Sequence, residues 1–153
     1  MSFFPFFRKK DLFDASERQQ IVEAVKEAER QTSGEIRVYV ESRCRFVDPL
    51  DRAAEIFFGL KMDNTQHRNG VLVYVAMRDR QLAIMGDEGI HQKVGSVFWQ
   101  TEVEKMIDEF HADHYATGIA KVVKEIGEAL KNNFPYERNL DKNELPDDLV
   151  FGR

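Results

Sequence analysis

Cysteine is nearly absent: Cys44 stands alone in 153 residues. No intrachain disulfide is possible, and a cytoplasmic home is the default expectation. Basic excess is missing too. Lysine and arginine number 22 against 27 aspartates and glutamates, for a formal net charge of -5. A nucleic-acid binder normally carries a basic face, so that class is disfavoured. No apolar run approaches transmembrane length. There is no internal repeat, no low-complexity tract, no P-loop, no GxGxxG after a strand, no nucleophile elbow and no HExxH. A catalytic role for Cys44 would need a histidine partner, and none is evident.

What is present is ordinary globular composition, 42% hydrophobic and 32% charged, with twelve phenylalanines. The length suits one domain with a real core. The expected division is an N-terminal arm at 1–12, a domain at 13–136 and a tail at 137–153. In the arm, Phe3, Phe4, Phe6 and Phe7 precede Arg8, Lys9 and Lys10. A secretory signal has the reverse order and a longer apolar part. The arm is expected to dock on the body or remain disordered, or to contact a membrane surface weakly through Phe and flanking Lys/Arg. A protein partner is also open.

The organising stretch is 68–90, RNGVLVYVAMRDRQLAIMGDEGI. Residues 71–77 are almost continuously apolar and rich in β-branching, which favours a strand buried on both faces. Asn69-Gly70 before it is a turn signal. Residues 81–85 read as a second strand. The link at 78–80 is too short for a parallel return, so the two must be antiparallel. Gly86-Asp87-Glu88-Gly89 follows; its glycines allow positive φ or close backbone approach, and its acids suit a helix start.

Upstream, Asp14 and Glu17 form a capping-box pattern, and Ile21, Val25 and Ala28 follow helical spacing. Gly34 stands in the helix C-terminal role. Glu35 to Glu41 alternates, with Ile36, Val38 and Val40 on one side, which predicts a half-buried strand at a protected sheet edge. Asp48-Pro49 starts another helix, with Ala53, Ala54, Phe57 and Phe58 on its apolar stripe. Residues 35–77 thus read as a βαβ unit with a right-handed crossover. Beyond it come a short helical turn at 90–94, a helix carrying Trp99, Val103, Met106 and Phe110, and a last helix ending near Asn132-Asn133. Trp99, Met77, Met85 and Met106 are expected in the core. Leu145, Leu149, Val150 and Phe151 are positioned to pin the tail to the body.

This topology brings three loops to one edge: 32–35, 67–70 and 86–89. They carry Ser33, Glu35, Asn69, Asp87 and Glu88, with free backbone carbonyls. Hard cations, calcium or magnesium, favour such oxygen-rich, partly backbone-built cages. The candidate ligands are Asp87, Glu88, Asn69, Glu35 and, through its backbone, Gly34. The competing reading gives these residues ordinary turn and capping roles. The rival site lies at the strand carboxyl ends, where α/β sheets usually bind ligands. It collects Glu41, Cys44, Asp48, Asp51 and Asp79 with Arg78 and Arg80. Asp48 there reads as a cap and Cys44 as an inert thiol. His111 and His114 could share a helix face for zinc, but no third soft ligand is evident and a solvated surface is expected.

Several of these segments together resemble the TPM-domain family: Thr32-Ser33-Gly34-Glu35-Ile36, Asn69-Gly70-Val71-Leu72, residues 80–86, Gly86-Asp87-Glu88-Gly89-Ile90, and Phe110 through Tyr115 to Gly118-Ile119. The match spans roughly 13–136. The family includes a thylakoid lumen protein linked to photosystem II repair and many bacterial proteins; residues 143–147 are similar to the tails of its small soluble bacterial members. The resemblance implies an α/β/α sandwich of Rossmann-like character, with a small mixed sheet built from one βαβ unit and one antiparallel hairpin. It also implies divalent-cation binding, chiefly calcium, and for the plant member an acid phosphatase activity. Many membrane-linked members carry Gly-aromatic-Gly where this chain has Gly86-Asp87-Glu88-Gly89. Two functions follow as expectations: a cation-binding or interaction module without a reaction of its own, or a metal-dependent phosphomonoesterase in which Arg68 or Arg37 holds the phosphate.

Overall fold

The first helix begins where the capping box places it. In α1 (Ala15–Glu29) the Asp14 carboxylate accepts from the Glu17 amide, and the Glu17 side chain accepts from the Asp14 amide. The computed structural model describes residues 13–137 and 149–152. The arm at 1–12 and the tail at 138–148, including Leu145, lie outside them. After α1 come β1 (Glu35–Glu41), α2 (Pro49–Gly59), β2 (Gly70–Ala76), β3 (Gln81–Gly86), α3 (Glu88–His111), α4 (Tyr115–Asn133) and β4 (Leu149–Phe151). Pro49 at the start of α2 is preceded by Asp48, whose carboxylate caps the Leu50 amide at 2.9 Å.

The sheet order is β3-β2-β1-β4. β1 and β2 are parallel with α2 as their crossover, and β2 and β3 form the antiparallel hairpin. Three layers result. Against one face of the sheet, Ile21 and Val25 of α1, Met106 of α3, and Ile119, Val122, Val123 and Ile126 of α4 pack on Ile36, Val38, Val40, Val71, Val73 and Val75. Against the other face lies α2, with Ala53, Ile56 and Phe57 on Leu72, Tyr74 and Ala83. The fold is therefore the expected α/β/α sandwich. No helix among the described residues is long and apolar enough to cross a membrane.

Two expectations change. β1 is neither half-buried nor an edge. Its outer side pairs in parallel with β4, Val38 opposite Leu149 and Val40 opposite Phe151, and α2 covers the face that carries its polar residues. Glu35, Arg37 and Glu41 are all buried as a result. The alternation was real, but it separates two covered faces rather than core from solvent. Gly34 is also not a left-handed helix cap. α1 ends at Arg30 in right-handed geometry, and the only glycine with positive φ among the described residues is Gly95, at φ 80°. Gly95 breaks α3 between the short 90–94 turn and the longer piece carrying Trp99, Val103 and Met106, so two helical pieces occur where the pattern placed them. Trp99 and Met106 are buried; Met77 and Met85 are partly so.

Candidate functional site

The three loops do converge. The Glu35 amide donates to the Asn69 carbonyl at 3.4 Å, the Asp87 amide to the Gly70 carbonyl at 2.9 Å, and the Gly89 amide to the Arg68 carbonyl at 2.9 Å. Glycine is needed at 89 for closeness, not for φ. A Cβ there would run into the His67 carbonyl oxygen and sit 2.6 Å from that of Arg68. The left-handed residue of this edge is Arg68, at φ 51°.

Asp87 is the centre of the edge. Its side chain is 4% exposed, and it caps α3 by accepting from the Glu88 amide at 2.8 Å. Its two oxygens also accept from Nε and Nη2 of Arg68, each at 2.8 Å. Arg68 itself is 39% exposed, and its Nη1 lies 3.5 Å from Glu88, which points largely into solvent. The paired Asp87 carboxylate raises the Arg68 pKa above its ordinary value. Asn69 is fully buried; its Nδ2 donates to Ser33 Oγ at 3.3 Å, while its Oδ1 accepts no hydrogen bond among the described residues. Glu35 is buried, and the Gly34 amide donates to Thr32 Oγ1 at 3.0 Å. The Thr32 hydroxyl in turn donates to the Phe134 carbonyl, tying the end of α4 to the edge.

These donors suit a hard cation in kind: a carboxylate, an amide oxygen and carbonyls. One positive charge, the Arg68 guanidinium, already sits on Asp87. Among the described residues, no group of three His, Cys, Asp or Glu side chains is placed to hold a metal. A cation here would therefore draw on Asp87, Asn69 Oδ1 and backbone oxygens, with Glu88 able to swing in.

A family model described as the TPM domain matches residues 7–129. The chain belongs to the TPM-domain family. Among solved structures, it is similar to the BA42 protein of the psychrophilic bacterium Bizionia argentinensis, with 39% identity, a TM-score of 0.82, and coverage of 92% of this chain and 95% of that one. The N-terminal domain of the cg2496 protein from Corynebacterium glutamicum matches at 12% identity and TM-score 0.61, covering 90% of this chain and 80% of that one. An N-terminal domain from P. gingivalis matches at 17% and 0.59, covering 80% and 79%. The last two likenesses concern the fold alone. No curated protein matches the chain at a significant level.

The opposite edge of this TPM domain also holds a buried carboxylate. Glu41 accepts from Arg52 Nε at 2.9 Å and Nη2 at 2.8 Å, and from the Tyr74 hydroxyl. Arg52 also pairs with Glu55. Burial, then the Glu41 bond, pushes the Tyr74 phenol far above its ordinary pKa, and the Glu41 bond does the same for Arg52. Helical and strand patterns missed this network because Glu41 and Arg52 lie in different elements. The rival residues do not gather into one site. Asp79 Oδ2 accepts from the Cys44 amide at 2.8 Å and so holds the loop after β1. Asp48 is a cap, while Asp51, Arg78 and Arg80 are exposed. His111 is exposed and His114 contacts Glu109 at 3.3 Å. Glu102 was also missed, although it lies three residues after Trp99 and four before Met106, on the buried stripe of α3.

Proposed function

We propose that this TPM domain is a divalent-cation binding module, taking calcium in preference to magnesium at the edge formed by 32–35, 67–70 and 86–89, with no reaction of its own. The observation that carries the reading is the Asp87–Arg68 pair. The anion is buried and fixed by its capping bond, whereas the guanidinium on it is substantially exposed and sits on a loop. Such a carboxylate can exchange its guanidinium for a metal ion without unfolding. Asn69 Oδ1, buried with nothing donating to it among the described residues, supplies a second oxygen on the same loop edge. Calcium is preferred because it tolerates irregular, partly backbone-built coordination that magnesium does not.

The phosphatase reading draws less support. Arg37 is 1% exposed and out of reach of a substrate. Arg68, which a bound cation would release, has beside it no cluster of three metal-ligating side chains among the described residues to activate a water. Calcium titration of labelled protein tests the proposal. Saturable amide shifts at Gly34, Asn69 and Asp87 are expected in the millimolar range or below, weaker with magnesium, and absent in Asp87→Asn. An unchanged spectrum through millimolar calcium would sink the reading. Phosphate release from an aryl phosphate that disappears with Asp87→Asn would restore the enzyme alternative.

A further inference from the structure

The carboxyl ends of β1 and β4 open into a cleft of about 660 Å³. We propose that this cleft binds a small aromatic carboxylate. The proposal is independent of the cation reading and concerns the other end of the sheet.

Tyr39, Phe46 and the end of β4 at Phe151 and Gly152 line it, the Phe151 ring itself packing on Phe13 at the other face of the sheet, and the charged groups are Arg43, Arg45 and Arg52 together with Glu41 and Glu55. Arg52 is spent: it is held by both Glu41 and Glu55, and the three groups together keep one net negative charge. The two rim arginines are not spent. Arg43 is 62% exposed and reaches Asp79 only at 3.7 Å. Arg45 makes no ion pair or hydrogen bond among the described residues. The rim therefore offers guanidinium forks above an aromatic slot, in a chain whose net charge is -5.

A guanidinium fork matches a carboxylate in two parallel hydrogen bonds. Aromatic walls accept a flat ring by offset or edge contact. The volume falls in the range of small-ligand sites, about 300–1,000 Å³, and the position is the usual one in a parallel sheet. Two carboxylates in the same lining, Glu41 and Glu55, oppose a dianion more than a monoanion, which selects carboxylate over phosphate. One wall is the end of β4. The Gly152 amide donates to the Val40 carbonyl at 2.6 Å, and the residue lies against the Tyr39 ring with no room for a Cβ.

The test is titration of the labelled full chain with 2-naphthoate, with 2-naphthamide as the neutral control. Saturable shifts are expected at Tyr39, Arg43, Phe46 and Gly152, with none at Asp87. The amide should bind at least about tenfold more weakly, as should naphthoate to an Arg43→Ala/Arg45→Ala double variant. Both arginines are exposed, so the variant's own spectrum reports whether the fold is intact. Phe46→Ala tests the wall separately and should weaken naphthoate and naphthamide alike. Equal binding of acid and amide, unchanged binding by the double variant, or the same shifts from inorganic phosphate alone would overturn the proposal.

Discussion

At each end of the sheet a buried carboxylate is held by one arginine through two hydrogen bonds. Asp87 and Glu41 are equally buried, each with 4% of the side chain exposed. Their arginines differ. Arg52 is 23% exposed, projects from α2, pairs also with Glu55 and lies over the Tyr39 ring at 5.9 Å. The Tyr74 hydroxyl fills a further position on Glu41. Arg68 is 39% exposed and reaches from a loop in left-handed geometry, with only exposed Glu88 for additional company. The same pair chemistry therefore serves two ends differently. At one end it is a network around Glu41, whose loss leaves Arg52 and Tyr74 together without their shared acceptor. At the other it is a single contact whose cation can return to water.

The largest effect should come from Glu41→Ala, which strands the Arg52 guanidinium and the Tyr74 hydroxyl together. Breaking a buried pair this way costs about 3–5 kcal/mol, to be read from the urea midpoint at unchanged m-value. A loss near zero would mean that the network is solvated and the contrast between the ends does not exist. Asp87→Ala should cost less, about 1–2 kcal/mol for the lost helix cap, since Arg68 can rehydrate. If Asp87→Ala proved the more damaging of the two, the roles assigned to the ends would be reversed.

A further buried carboxylate, Glu102, sharpens the comparison, because one of its oxygens has no donor among the described residues. Among the described residues nothing donates to Glu102 Oε1, and Oε2 is 3.4 Å from Lys105, which lies closer to Glu125 at 2.8 Å. Burial first, and then Glu125, pushes the Glu102 carboxyl up to about 7 from an ordinary 4.5. The folded state then holds a proton that the unfolded chain gives up, so stability falls as pH rises through that interval and stays low above it. Glu125 runs the other way. Burial pushes it up, but its bonds to Lys105 and Glu102 outweigh this and lower it, so its contribution is present above 4.5 and lost only at more acid pH. Glu102→Gln should flatten the interval between 4.5 and 7 and stabilise the protein at alkaline pH by at most roughly 3 kcal/mol, as thermal melts across pH would record. A parent protein whose stability climbs through that interval would refute the assignment.

Much of this was legible before the structure. Asp14 with Glu17, Asp48 with Pro49, and the three-residue link at 78–80 are local signals, and they fixed two helix starts and the hairpin. Convergence of 32–35, 67–70 and 86–89 followed from strand direction alone. Partnership did not follow. Nothing local says that Asp87 meets Arg68 or that Glu41 meets Arg52, since each pair joins separate elements. The burial of β1 depended on β4, whose three residues carry too little pattern to be placed on a particular neighbour. Glu102 was the recoverable omission, because its spacing from Trp99 and Met106 already set it on the inward stripe.

The smallest change in stability, and the most informative about the two ends, should come from Arg68→Gln. The guanidinium is already partly in water, and removing it leaves Asp87 with its cap but without its charged partner. The melting midpoint should fall only modestly without metal. Calcium should then bind more tightly, by roughly tenfold, because the competing charge on Asp87 is gone and the ion meets a free carboxylate. The added stability at a fixed calcium concentration should rise accordingly, since a ligand that binds only the folded state stabilises in proportion to the logarithm of its saturation ratio. Arg52→Gln offers the opposite control: a large loss of stability and no change in calcium response. Should Arg68→Gln instead abolish calcium binding, the arginine would be part of the scaffold that shapes the edge, and the two ends would be the same device after all.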